Sequence, residues 1–202
     1  MGSLREMGGP VIGKQYCSFD ATQYTIKHAG KRPALIDKWE MIDANGAMVF
    51  EAVKLKTSSN TWSFKYETRV LDAEGKLVTR FKFTGSKWEV FDEESDDIIC
   101  IVKEEKLNLK VFRSSNLQGK IPDYKTKSNK ISLCMPLSLV ILHGKEPLAE
   151  VLKKNKWLQL NEYRVELNEG ADMVFVLLLV LMMHDMERMS ATMNAVSQIH
   201  SL

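Results

Sequence analysis

The residues able to do chemistry are four histidines, three cysteines, one acidic run and several lysine clusters, and their spacing decides which reactions remain open. His28, His143, His184 and His200 stand far apart, and none sits at metal-ligand spacing from another or from Cys17, Cys100 or Cys134. An adjacent pair, His184-Asp185, has the composition of a catalytic dyad, but no G-x-S-x-G nucleophile motif accompanies it. No P-loop or dinucleotide fingerprint is present either. The expectation is a surface or loop role for each histidine, with no enzymatic site, cofactor or metal. Three cysteines without a C-x-x-C pair suggest neither a disulfide framework nor a zinc site, so buried thiols in a reducing compartment are expected.

The run Asp92 to Asp97 places five carboxylates in six positions. Read as an EF-hand loop starting at Asp92, it puts Asp97 where glycine is required and Lys103 where the bidentate glutamate belongs, so a solvated turn is expected. Lysines form the other clusters. Lys153, Lys154 and Lys156 cluster beside Trp157; Lys125 and Lys127 stand with Lys120, Lys130 and Tyr124; Lys54 and Lys56 follow a hairpin. Such groups attract anionic lipid headgroups at about 1 kcal/mol per lysine near the surface. The bland alternative is that they keep strand edges soluble. Lys153, Lys154, Lys156, Lys125 and Lys127 are taken as the candidate anionic-lipid patch. The net charge of +2 gives no global bias toward nucleic acid.

The elements that must carry these groups are mostly strands. Asp43-Ala44-Asn45-Gly46 and Asp72-Ala73-Glu74-Gly75 each separate two strand-like runs. Asn-Gly predicts a type I′ turn joining Trp39–Ile42 to Met48–Val53, and the second turn joins Thr61–Leu71 to Leu77–Phe83. Trp88–Phe91, Ile98–Val102, Leu107–Phe112, Leu133–Leu142, Leu148–Leu152, Trp157–Leu160 and Tyr163–Leu167 read as further strands, with a polar loop over 113–130. Short strands at this spacing indicate a sandwich or barrel. Composition, 45% hydrophobic and 27% charged, is that of a globular chain.

One segment breaks the pattern. Met173 to Met183 holds eleven residues without a polar side chain, preceded by the capping candidate Asp172. As a helix it is roughly 16 Å long, about half a bilayer core, so it is too short to span a membrane. A helix apolar on every face must be surrounded by protein. The expected layout is a flexible lead-in over 1–15, a single domain over 16–189 with its helix at about 171–187, and a tail over 190–202. The first ten residues lack the apolar region of a secretory signal.

In order along the chain, Tyr16-Cys17, Ile42-Asp43-Ala44-Asn45-Gly46-Ala47-Met48-Val49-Phe50, Leu71-Asp72-Ala73-Glu74-Gly75, Trp88-Glu89-Val90-Phe91, Leu109-Lys110-Val111-Phe112, Asp123-Tyr124-Lys125, Ala149-Glu150-Val151, and Tyr163-Arg164-Val165 leading through Asp172 into the apolar helix resemble the plant LURP-one-related family. That family shares its fold with Tubby C-terminal domains and phospholipid scramblases. The resemblance implies a mainly β fold, a closed antiparallel β-barrel of about 12 strands around a central hydrophobic C-terminal helix. It further implies a non-enzymatic, intracellular protein linked to plant defence; a monomer is expected. Such a protein is expected in the cytoplasm or peripherally at a membrane, where it would bind phosphoinositide or another anionic lipid. An interaction scaffold with an unknown protein partner and a scramblase-like lipid activity are the two alternatives.

Overall fold

The computed structural model describes residues 9–29, 37–56, 66–106, 108–129, 138–154 and 162–199. Twelve strands follow one another: β1 Thr22–His28, β2 Asp37–Ile42, β3 Met48–Lys56, β4 Tyr66–Asp72, β5 Leu77–Phe83, β6 Lys87–Phe91, β7 Ile98–Glu105, β8 Asn108–Arg113, β9 Tyr124–Asn129, β10 Ser138–His143, β11 Glu146–Lys154 and β12 Glu162–Leu167. Each pairs antiparallel with its sequence neighbours, and β1 pairs with β12 as well as β2, which closes the barrel. Closure leaves no open sheet edge.

Period-two alternation sends one face of each strand inward. Ile26, Met41, Val70, Phe81, Val102 and Val111 are completely buried on that inner face. They meet α1, Met173–Ile199, which is buried at every position from Val174 to Met186. Burying the apolar run contributes on the order of 15–30 kcal/mol gross, an upper bound because an extended chain is the reference. The barrel and the helix each supply the surface the other lacks.

Local chemistry fixes where α1 begins. Asp172 is its N-cap, and its Oδ1 accepts the Phe175 N–H at 3.0 Å. The two Asp–Gly turns use a different geometry from the type I′ turn expected. Asp43 Oδ1 accepts the Asn45 and Ala47 N–H groups, and Asp72 Oδ1 accepts those of Glu74 and Lys76. Gly46 and Gly75 take φ of 87° and 83°, and each pairing shifts register beside the turn. These are longer loops closed by a glycine bulge, selected by the aspartate rather than by Asn-Gly alone.

Three other expectations change. The polar stretch 113–130 contains β9, which the polarity of Tyr124-Lys-Thr-Lys hides: only Tyr124 and Thr126 point inward, and the Thr126 hydroxyl accepts the Leu109 N–H at 2.7 Å. The helix runs on past 187 to Ile199, through most of the expected tail. The lead-in, expected flexible to residue 15, packs from Gly9 onward, because Val11 enters the core and Tyr124 Oη donates to the Gly9 carbonyl. The expected strand at Trp157–Leu160, the beginnings of those at Thr61 and Leu133, and residues 1–8 and 200–202 lie outside the described residues.

Candidate functional site

Two polar regions stand out, one inside the barrel and one on its wall. The inner one surrounds α1 where its apolar run ends. In β3, Lys54 keeps phase with the inward Phe50 and Ala52, so it points into the barrel rather than joining a surface patch. Its ammonium meets Asp185 Oδ1 at 2.6 Å, and Tyr66 Oη donates to Asp185 Oδ2 at 2.7 Å. The same ammonium lies 3.6 Å from the Tyr66 ring centroid. Burial and the neighbouring Asp185 carboxylate both push the Tyr66 phenol up, so it stays a donor.

His184 is buried in the same collar, contrary to the surface role expected of it. Its Nδ1 is hydrogen-bonded to Tyr163 Oη at 3.0 Å, and Trp39 packs edge-on at 4.7 Å. Burial, with Lys153 and Arg188 nearby, lowers its pKa to about 3, so the ring is neutral at physiological pH. His28 bonds Asp37 at 2.7 Å, and Arg188 reaches the other oxygen of Asp37 at 3.3 Å. The collar thus pairs the polar groups of α1 with those of β1, β2, β3, β4, β11 and β12 around the helix.

The outer region is a row of lysines. Lys87, Lys103, Lys110 and Lys125 are direct cross-strand partners on β6, β7, β8 and β9. Their inward neighbours are Trp88, Val102, Leu109 and Tyr124, so all four face outward. Adjacent strands lie about 4.8 Å apart, which spaces the row over roughly 14 Å. Like charges directly opposite each other destabilise a sheet. Glu89 and Glu105 bind Lys87 and Lys110, while Lys103 lies over the Phe112 ring. Among the described residues no carboxylate pairs with Lys103, Lys125 or Lys127.

Of the expected patch, Lys125 and Lys127 are exposed on β9 and belong to this row. Lys153 points into the collar and binds Glu187 at 2.6 Å, and Lys154 binds Glu162 at 2.5 Å. Lys156 lies outside the described residues. Sequence clustering missed Lys87, Lys103 and Lys110 because they come from three separate strands. The available signal was their outward phase, visible in Leu109-Lys110-Val111 once the inward residues are fixed.

The acidic turn after β6 is tied back to the protein. Asp92 Oδ1 accepts the Glu94 N–H at 3.1 Å, Asp96 pairs with Arg80, and Glu93 pairs with Lys76. Among the described residues no histidine, cysteine or carboxylate group is assembled to hold a metal ion.

With the barrel, its helix and these two regions in place, the LURP-one-related family profile matches residues 22–184. The chain belongs to the LURP-one-related family. A solved structure of a protein from Arabidopsis thaliana is similar in fold: TM-score 0.63, 20% identity, covering 89% of this chain and 99% of that one. The search of curated proteins found no match. The LURP-one-related match starts at β1 and stops at His184. Two parts of the structure therefore lie beyond it: the segment before β1 that packs against Asp172, and the helix after His184.

Proposed function

We propose that this LURP-one-related protein is a non-enzymatic module that docks on anionic phospholipid through the lysine row. The observation carrying the reading is that Lys87, Lys103, Lys110 and Lys125 oppose one another on four adjacent strands, a repulsive arrangement that a bound anion relieves. Lys127 extends it, and Lys103, Lys125 and Lys127 keep their charge unpaired among the described residues. At about 1 kcal/mol per lysine, the row supplies a weak, salt-sensitive attachment suited to a peripheral regulator. The reading keeps the plant-defence setting that the family resemblance implies.

A scramblase-like insertion of α1 is the poorer reading. Leu177, Leu178 and Leu179 are at most 1% exposed, and withdrawing them would empty the barrel. Among the described residues no helix is long and apolar enough to cross a membrane.

Flotation with phosphatidylcholine vesicles, with and without phosphoinositide, tests the proposal. At low salt the protein should float only with the anionic vesicles. Lys103→Glu/Lys125→Glu/Lys127→Glu should abolish that binding, while Lys154→Glu, whose wild-type partner is Glu162, should change it little. No flotation of the wild type at low salt would sink the proposal. Loss with Lys154→Glu but not with the triple variant would move the site to the other cluster.

A further inference from the structure

The lysine row is bordered by apolar side chains on its β10 side. By register, Lys125 and Lys127 on β9 face Leu142 and Val140 on β10. Leu139 and Ile141 go into the core, so Val140 and Leu142 point outward, to the same side of the wall as the lysines. Both are half-buried. On β11, exposed Pro147 lies opposite Leu142, and Leu152, 41% exposed, lies opposite Ser138. Ser138 and Val140 share a face, so Leu152 is also the diagonal neighbour of Val140, roughly 7–8 Å away. The outer wall thus carries a continuous apolar stripe along the flank of the row.

Acid marks the far side of the stripe. Glu150 opposes Val140, Glu166 opposes Glu150, and both are exposed. Beyond them, Lys154 and Arg164 pair with Glu162 and Glu166. From β9 to β12 the wall passes from cations that hold no carboxylate among the described residues, through apolar side chains, to carboxylates. Single exposed apolar residues are ordinary on a protein surface, but a contiguous group bordered by charge marks a contact surface.

This order of chemistries selects the occupant. A soluble polyanion would be held by the ammonium groups alone and would leave Val140, Leu142 and Leu152 in water. A peptide strand finds no edge to extend on a closed barrel. A bilayer offers both kinds of contact, phosphates at its surface and the acyl boundary roughly 5–10 Å deeper. Lysines suit that layering, because their stems lie along apolar surface while the ammonium stays at the phosphates. Glu150 and Glu166 limit how far the wall can roll onto an anionic surface, which leaves β9 and β10 as the line of contact.

We infer that the β9–β10 wall, with Leu152 at its border, lies side-on against a bilayer: Lys125 and Lys127 reach the phosphates, and Val140, Leu142 and Leu152 press into the headgroup layer. This rests on the lysine row facing lipid, and it adds the source of the anion, a membrane surface rather than a free polyanion. The lysines contribute a salt-sensitive part of binding, and the stripe contributes a part that survives salt.

Flotation of the full chain at low and at about 0.5 M salt separates the two parts, using phosphatidylcholine vesicles containing phosphoinositide. Wild type should keep a salt-resistant bound fraction that inositol hexakisphosphate does not displace. Leu142→Ser/Leu152→Ser should bind at low salt yet lose about tenfold of the salt-resistant partition. Glu150→Leu, which widens the stripe, should raise that partition, a gain that damaged folding cannot imitate; it decides the matter if the double variant melts early. Phe19→Ser removes an equally apolar side chain, 90% exposed in the segment before β1, and should change nothing. Salt-resistant binding that is the same in wild type, Leu142→Ser/Leu152→Ser and Glu150→Leu overturns the stripe and leaves the lysine row standing. So does a wild type that high salt releases completely, or a loss produced by Phe19→Ser instead. Complete displacement by inositol hexakisphosphate at both salts overturns the membrane surface and leaves the row as a site for soluble polyanions. No wild-type binding at either salt overturns the lysine row and the stripe with it.

Discussion

Asp172 and Asp185 sit at opposite ends of the buried part of one helix, and both carboxylates are out of water. Asp172 is answered by backbone alone. The Phe175 N–H donates at 3.0 Å, the Ile12 N–H at 2.7 Å and the Gly13 N–H at 3.4 Å. Asp185 is answered by a cation and a phenol, Lys54 and Tyr66. The first arrangement needs an acceptor at a helix N-terminus, where the peptide dipoles already favour negative charge. The second needs a charge, because an ammonium 19% exposed must be compensated. Similar burial therefore encodes different requirements, and substitutions should separate them.

The apolar stretch between the two ends sets the upper limit. Leu178 is 1% exposed and surrounded by inward-facing strand residues. Leu178→Asp would put a carboxylate where neither N–H groups nor a cation can reach it, and no folded protein is expected in circular dichroism or size exclusion. A soluble, cooperatively melting Leu178→Asp protein would contradict the buried-helix architecture.

The ends themselves should differ in their response to asparagine. Asp185→Ala leaves Lys54 unpaired and should cost about 3 kcal/mol, and Asp185→Asn should recover little of it, because the amide restores no charge. Asp172→Ala should cost about 2 kcal/mol as a lost cap, but Asp172→Asn should recover most of that, because asparagine caps as well as aspartate. Urea melts of the four variants check the contrast. Equal recovery at both ends would mean that Lys54 contributes no charge-specific stability.

Acid sharpens the same comparison, since the two ends titrate in opposite senses. His184, beside Asp185, has its pKa lowered to about 3, so below its ordinary value of 6.5 the unfolded chain takes up the proton first. Its contribution is complete above pH 6.5 and declines as pH falls from there toward 3, by up to about 1.4 kcal/mol per pH unit. Burial raises the Asp172 carboxyl above its ordinary 3.8, with the backbone N–H groups partly opposing the shift. The folded state then binds that proton more tightly, and stability falls as pH rises from 3.8 through the raised value. Thermal melts between pH 7 and 4 should show a flatter decline for His184→Gln and a steeper one for Asp172→Asn. Identical slopes in all three proteins would remove both assignments.

These differences also explain what the sequence revealed. The apolar helix and the Asp–Gly hairpins were legible because each is specified within a few residues, by composition or by an aspartate two and four positions from the N–H groups it binds. The collar was not. Lys54 and Asp185 are separated by 131 positions, and Lys54 read as part of a basic cluster until the phase of β3 turned it inward. The lysine row failed for the same reason, since Lys87, Lys103, Lys110 and Lys125 become neighbours only through cross-strand register. Lys125 and Lys127 were found by local charge, but so were Lys153 and Lys154, and charge density cannot show which ammonium already holds a carboxylate.

The smallest effects should show this division between local and distant specification most cleanly. Gly46 and Gly75 adopt φ of 87° and 83° in turns at the Asp172 end, and a Cβ at either would meet open space. Replacing each with alanine should therefore cost about 1 kcal/mol through backbone strain alone, without a clash. The turns share no partner, so Gly46→Ala/Gly75→Ala should equal the sum of its parts within about 0.5 kcal/mol. Lys54→Met/Asp185→Leu, by contrast, should cost far less than its two single changes together, because the double variant leaves no buried charge behind. A strongly non-additive glycine pair would show that the two hairpins are coupled through the barrel, and that this end too depends on distant contacts.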